Sequence, residues 1–274
     1  MRLFCFGYGY VARFLSQKLL SLDWKISGSS RRRGTQNVNL FNYSKVDKDI
    51  LQEATHILIS IPPESDNVLD TYGHYCKNVK WLGYLSSTSV YGNHFGKWVT
   101  EKSETKPLGS RGEERFRSEN QWLNSNLPVH IFRLAGIYGP ERNILIDLQL
   151  KKVKNIKKEG HFFSRIHVED ISNILLASMQ NIKPGEIYNC SDDLPATQSE
   201  VVTYAAKLLN IRAPKPTRVS SLSHNVQDFY LGSKKVSNTK VKRDLGISLV
   251  YADYKSGLKS LYNTLESKNN AISN

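Results

Sequence analysis

Cysteine is scarce in this chain: three residues in 274, at Cys5, Cys76 and Cys190. They are scattered and odd in number, and no C-x-x-C pair brings two together, so neither a disulfide framework nor a thiolate zinc site is indicated. A reducing cytoplasm is the expected setting. Long apolar runs are also missing; none approaches the ~20 residues that cross a bilayer, so no membrane association is expected. Acidic residues are few, 25 against 38 Lys and Arg, leaving a formal charge of +13. The first 22 residues carry Arg2, Arg13 and Lys18 and no acid, a superficial likeness to a transit peptide. That reading is set aside because the same residues are needed as the first strand and helix of a fold. The basic surplus gathers at 31–33, 151–158, 234–235 and 240–243. Such a surface attracts anionic metabolites, lipid or nucleic acid. No nucleic-acid motif accompanies it, so nucleic acid is not an expected partner, and the charge is read as solubility and steering.

With 39% hydrophobic and 23% charged residues the chain is neither disordered nor fibrous, and its length allows one large α/β domain with a smaller lobe. Its organising stretch is 2–22. An apolar run, Leu3-Phe4-Cys5-Phe6, is followed by Gly7-Tyr8-Gly9-Tyr10-Val11-Ala12 and then by Val11, Leu15, Leu19 and Leu22 at helical spacing. This reads as strand, glycine turn, helix. Gly7 permits the tight turn, Gly9 lets a pyrophosphate approach the backbone, and Ala12 fills the third small position, where helix and strand pack. The phosphates then sit on the free N–H groups of Tyr10 and Val11 at the helix N-terminus. A plain structural turn is the alternative.

The second strand, 24–27, runs into Gly28-Ser29-Ser30-Arg31-Arg32-Arg33. An NAD site places a carboxylate here to accept the ribose hydroxyls; hydroxyls and guanidiniums stand in its place. Arginine forks match a 2′-phosphate, so Ser29, Ser30, Arg31 and Arg32 predict NADP(H) in preference to NAD(H). A third strand is expected at 38–41 and a fourth at 56–61, which ends on Ile61-Pro62-Pro63; the prolines stop the ladder, and the exit flanks the cofactor. After a helical stretch within 66–78, a fifth strand at 81–85 delivers Ser86-Ser87-Thr88-Ser89-Val90-Tyr91-Gly92 to the same rim.

That last segment resembles the extended short-chain dehydrogenase/reductase superfamily, the NAD(P)-dependent epimerase/dehydratase group. Three further segments match in order: Arg133-Leu134-Ala135-Gly136-Ile137-Tyr138-Gly139-Pro140, Arg165-Ile166-His167-Val168-Glu169-Asp170-Ile171, and Ile187-Tyr188-Asn189-Cys190. The resemblance covers nearly the whole chain. It implies a doubly wound parallel-sheet Rossmann fold with a small C-terminal α/β substrate lobe, a small-molecule substrate between the two, and a homodimer formed through the helices flanking Tyr91 and Arg111. It also implies a Ser87 hydroxyl that orients substrate and a Tyr-x-x-x-Lys pair on a helix 20 to 30 residues later. With Glu119 placed on the family's helix acid, Arg111 stands at the tyrosine position and Arg115 at the lysine position. Arginine stays protonated near neutral pH, so Arg111 cannot exchange a proton as a tuned tyrosine does.

This departure matches the atypical short-chain dehydrogenases. It leaves Ser87, Tyr91 and Arg111 as catalytic candidates, Tyr91 being the nearby phenol able to replace the lost acid. Arg115 is placed on the nicotinamide ribose or a phosphate, and His167 is read as structural, fixed by Asp170. The expected activity is that of an NADP-dependent oxidoreductase or epimerase on a small anionic or sugar-like substrate; a non-catalytic NADP(H) sensor or scaffold is the alternative. The strings Tyr230 to Lys234 and Tyr251 to Lys255 are expected to lie beyond the cofactor rim. The Rossmann domain is expected over 1–143, completed by about 165–190, the small lobe over 144–164 and 191–265, and a disordered tail over 266–274. Helices are expected at 144–158, 168–179, 199–209, 237–245 and 254–265, a strand at 186–190 and a loop at 214–223.

Overall fold

The computed structural model describes residues 1–31, 37–63, 68–222, 227 and 230–273, with side chains to Ser267. A parallel sheet of seven strands is built from β1 (Arg2–Phe6), β2 (Lys25–Ser29), β3 (Val38–Phe41), β4 (His56–Ile59), β5 (Trp81–Ser87) and two later strands. Two short strands also occur in this stretch and just after it: β6 (Trp98–Val99), then β7 (Val129–Leu134), which joins the sheet, then β8 (Gly136–Tyr138). The remainder are β9 (Asn155–Ile156), β10 (Arg165–His167), β11 (Ile187–Cys190), β12 (Pro216–Thr217) and β13 (Lys235–Val236). The spatial order in the large sheet is β3-β2-β1-β4-β5-β7-β11. This is the doubly wound arrangement of a Rossmann fold, and its order reverses between β1 and β4.

Side chains on β1 alternate between the two faces. Leu3 and Cys5 join a core with helices α1 (Tyr10–Leu20) and α6 (Val168–Gln180). Phe4 and Phe6 join a second core with α2 (Lys48–Glu53), α3 (Val68–Tyr72) and α4 (Gly109–Leu123). Burial on both faces is why β1, β4 and β5 read as nearly unbroken apolar runs. A third core, in the smaller lobe, brings Leu145 and Leu148 of α5 (Ile144–Gln149) against Val202 and Ala205 of α7 (Gln198–Leu208) and Leu258 and Leu261 of α9 (Tyr254–Ser273). Helix α7 opens with a capping box in which Thr197 and Glu200 satisfy each other's backbone N–H groups. Between α7 and α9 lies α8 (Thr239–Leu245).

Some boundaries differ from expectation. The helix expected over 144–158 stops at Gln149; Leu150 is exposed, Lys151 turns left-handed at φ 55°, and β9 follows. Leu22 lies beyond the end of α1 and is exposed. The loop expected over 214–223 contains β12. The tail expected to be disordered continues α9 as far as Ser273, because no Gly or Pro interrupts 258–273.

Candidate functional site

The β1–α1 turn is locked from three sides. Gly7 has φ +87°, and a Cβ there would meet Ile61 Cγ2 at 2.4 Å and the Ile61 backbone nitrogen at 3.0 Å, so only glycine fits. Its N–H donates to Ser29 Oγ at 3.0 Å, the Tyr8 N–H donates to the Ser29 carbonyl at 2.7 Å, and the Ser60 hydroxyl donates to the Gly7 carbonyl. Ser29 is therefore a buried latch on the turn. This corrects its expected place on a 2′-phosphate: the strand beside β1 turns this side chain toward the turn, away from solvent.

Gly9 is different. The nearest heavy atom to a Cβ built there is the Gly7 carbonyl oxygen at 3.9 Å, so the space above it is open. Gly9 caps α1 with no side-chain hydrogen bond, and the first turn holds no acid. The N–H groups of Tyr10, Val11 and Ala12 have no intrahelical acceptor, and the helix dipole adds positive potential. The open cradle and these donors fit a dinucleotide pyrophosphate. Val11 is buried in the core, so only its backbone serves. The Tyr10 hydroxyl donates to the Pro140 carbonyl at 2.6 Å, and the guanidinium carbons of Arg13 and Arg142 lie 5.9 and 5.8 Å from its ring centroid. Burial pushes the Tyr10 phenol up to about 12.

Around this cradle, the Ser30 N–H donates to the Phe41 carbonyl at 2.8 Å and Arg31 is exposed at the exit of β2. Arg32 lies outside the described residues. Ile61, half-buried, and Pro62, exposed, leave β4 beside Gly7.

At the exit of β5, Ser87 begins a 3-10 turn, Thr88–Tyr91, and its half-buried hydroxyl accepts from the Ser89 N–H at 3.1 Å. Tyr91 does not reach the rim. It is fully buried; its hydroxyl donates to Asn189 Oδ1 at 2.7 Å and accepts from Arg133 Nη1 at 2.9 Å. The Arg133 guanidinium also lies 4.8 Å from its ring centroid, and burial raises its pKa. The expectation that Tyr91 replaces the lost acid is thus corrected: its proton is committed to a packed network. That network continues through Glu119, which takes Arg133 Nη2 at 2.7 Å and the Ser86 hydroxyl.

Helix α4 carries no Tyr and no Lys. Arg111 on it is exposed, and Arg115, half-buried, donates from Nη1 to the Leu85 carbonyl at 2.6 Å. His167 is structural as expected, but its partner differs: Nδ1 caps α6 by accepting the Glu169 N–H at 3.2 Å. Asp170 instead accepts the N–H groups of Val250 and Tyr251, at 2.7 and 3.1 Å. The string Tyr230 to Lys234 also departs from expectation. Lys234 Nζ donates to the Gly92 carbonyl at 3.0 Å, at the end of the turn leaving β5, so this lysine belongs to the rim. Its part in the site was hidden because the contact spans 142 residues. Among the described residues, no group of three or more His, Cys, Asp or Glu could hold a metal ion, and no helix is long and apolar enough to cross a membrane.

No family model matches the chain. A solved structure of a functionally unknown conserved protein from Silicibacter pomeroyi is 38% identical, with a TM-score of 0.91 over 96% of this chain and 98% of that one. Protein YeeZ of Escherichia coli K12 is 26% identical over 277 residues, 90% of this chain and 95% of that protein. The human epimerase family protein SDR39U1, solved with NADPH, is 15% identical and shares the fold with a TM-score of 0.74 over 96% of this chain and 99% of that one. The glycine turn, the ordered segments after β5 and β7, the sheet order and these likenesses agree: the chain is a relative of the Silicibacter pomeroyi protein and has the Rossmann fold found in NAD-dependent epimerases and dehydratases.

Proposed function

We propose that this chain binds NADP(H) on the β1–α1 turn and acts as an oxidoreductase on a small anionic substrate between its two lobes, without a tyrosine acid. The observation that carries the reading is the uncapped start of α1 beneath open space at Gly9, at the point where the sheet order reverses. The human relative solved with NADPH supports the choice of dinucleotide. The N–H groups of Tyr10 and Val11 hold the pyrophosphate. Ser30, Arg31 and Arg32 take the 2′-phosphate, Ile61 and Pro62 flank the nucleotide, and Arg115 offers its remaining N–H donors to ribose or phosphate. The bound nicotinamide supplies a hydride donor or acceptor. Ser87 orients the substrate oxygen, and the Arg111 cation stabilises negative charge growing on it.

Calorimetric titration tests the cofactor. NADPH is expected to bind at least about tenfold more tightly than NADH, with Arg31→Ala removing most of that preference. Equal affinities, or a preference untouched by the substitution, would sink the 2′-phosphate assignment. Gly9→Val tests the cradle. Its side chain enters open space, so the urea midpoint is expected to shift by no more than about 1 kcal/mol in stability while dinucleotide binding is lost. A Gly9→Val protein that still binds NADPH would show that the phosphates lie elsewhere.

A further inference from the structure

A cationic cluster lies where the segment 230–236 packs on the turn that leaves β5. The segment 230–236 is clamped there. Ser233 donates its N–H to Asn93 Oδ1 at 3.0 Å and its hydroxyl to the Gly160 carbonyl at 3.0 Å, and its carbonyl accepts the N–H groups of His94 and Gly96. Its Oγ also accepts the Phe162 N–H at 3.0 Å, and β13 pairs with β6. Gly232 packs so closely that a Cβ would meet the Gly92 carbonyl oxygen at 2.7 Å. Two lysines converge on this clamp. Lys234 donates to the Gly92 carbonyl at 3.0 Å and Lys158 to the Tyr230 carbonyl. Next to them His161 is 2% exposed, its ring 5.2 Å from that of Tyr230 and 4.6 Å from that of Phe163, with neither nitrogen in a well-formed hydrogen bond. Among the described residues the lysines paired with carboxylates are Lys18, Lys106, Lys240 and Lys242; Lys158 and Lys234 have only backbone carbonyls.

We propose that Lys234 and Lys158, with the buried His161 ring, form an anion subsite at this clamp that takes the carboxylate or phosphate group of the substrate. The proposal rests on the substrate-cleft reading above and gives it a chemical class. The half-buried Lys234 ammonium, held on a carbonyl oxygen with no counter-charge, is repaid by an anion that replaces lost hydration, and the exposed Lys158 ammonium adds to the positive field beside it. Burial pulls the Lys234 amine down to about 8. Burial first, then the charge on Lys158 and more weakly that on Lys234, holds His161 down to about 4 against the pull of the Gly232 and Tyr230 backbone carbonyls, so the ring is neutral at physiological pH. The other charged or titratable groups on the segments packed here are His94, Lys97, Glu159 and Lys235, the last with Nζ 4.2 Å from the Phe162 ring centroid. An anion beside Lys234 favours its ammonium form, so binding at pH 8 takes up protons.

The test titrates the full chain with inorganic phosphate and separately with acetate at pH 8, following the His161 ring and the Lys234 side chain by NMR and proton uptake by calorimetry in two buffers. Each titration is repeated on protein saturated with NADPH, which removes the start of α1 as a competing phosphate site. A saturable shift at His161 and Lys234 with either anion supports the subsite and says which head group it prefers. Lys234→Met is expected to weaken that binding about tenfold. Lys234→Arg is expected to keep it while abolishing proton uptake, which a merely structural lysine would not do. No shift with either anion, or affinity unchanged in Lys234→Met, overturns the proposal. NADPH binding is read in the same experiment: if it fails while the anion shift persists, the cofactor reading falls and the subsite stands.

Discussion

Glu119→Ala is expected to destabilise the protein by about 3–5 kcal/mol, because it strands a buried guanidinium. Arg133 is 4% exposed and Glu119 1%. The carboxylate takes Nη2 at 2.7 Å and Nε at 3.1 and 3.2 Å, and it also accepts the Ser86 hydroxyl. With it gone, the remaining partner in hydrogen-bond contact with Arg133 is the Tyr91 hydroxyl at 2.9 Å, a neutral group. The damage should spread, because Tyr91 also holds Asn189, and the Asn189 N–H donates to Glu101 at 2.9 Å. The network thereby ties the exits of β5, β7 and β11 to α4, and β5 and α4 are the elements that carry Ser87 and Arg111. Urea unfolding of Glu119→Ala, Glu119→Gln and the double variant Glu119→Leu/Arg133→Met measures it. The single alanine should be worst and the apolar double variant should recover much of the loss, since a buried pair is worth little against a well-packed apolar replacement. A cost below about 1 kcal/mol for the alanine variant would mean that water reaches Arg133.

This network also shows where reading the sequence stopped. The course of the backbone was legible: the β1–turn–α1 unit, β3 at Val38–Phe41, the exit at Ile61-Pro62 and the helix after Thr197 all follow from apolar periodicity, small residues and caps. Those signals are local, so the chain displays them. Side-chain commitments are not local. Ser29 and Tyr91 are polar residues at strand exits, where ligands bind in this fold, yet Ser29 turns to a glycine 22 positions earlier and Tyr91 to an asparagine 98 positions later. A hydroxyl at a rim serves a ligand or the backbone according to what packs beside it. Lys234 is the converse: read as remote, it is brought to the rim by a clamp between segments far apart in sequence. Short elements were missed for a related reason. β6, β9, β12 and β13 have two residues each, too few to show a period, and exist because a partner strand lies alongside.

Asp192→Asn is expected to make stability rise more steeply with pH between 6.5 and 8 than it does in the wild type. Asp192 follows β11, is 1% exposed, and its carboxylate oxygens have no well-formed hydrogen bond; its own N–H donates to the Arg165 carbonyl at 2.6 Å. Burial pushes its carboxyl up to about 8 against the pull of Arg165. The folded chain therefore keeps a proton that the unfolded chain has released above about pH 4, so this group's contribution is full below about 4 and gone once pH passes about 8. Four buried histidines, His56, His130, His161 and His167, are held down to about 4 and act oppositely, raising stability as pH climbs toward 6.5. Asp170, pushed up to about 6 by burial, adds a smaller downward slope that fades above about pH 7. Above 6.5 the unfolded histidines still release their last protons, and Lys234, held down to about 8 by burial, begins to lose its own in the folded chain; both raise stability with pH and oppose Asp192, whose own share is a downward slope of at most about 1.4 kcal/mol per pH unit. Urea midpoints at pH 6.5, 7.2 and 8 for the wild type and Asp192→Asn decide the matter: parallel pH dependences of the two proteins remove Asp192 from the account. The same protonation bears on the surroundings of Arg165. A carboxyl kept neutral at physiological pH gives the Arg165 cation no counter-charge, so the ground beside the end of β11 stays positive.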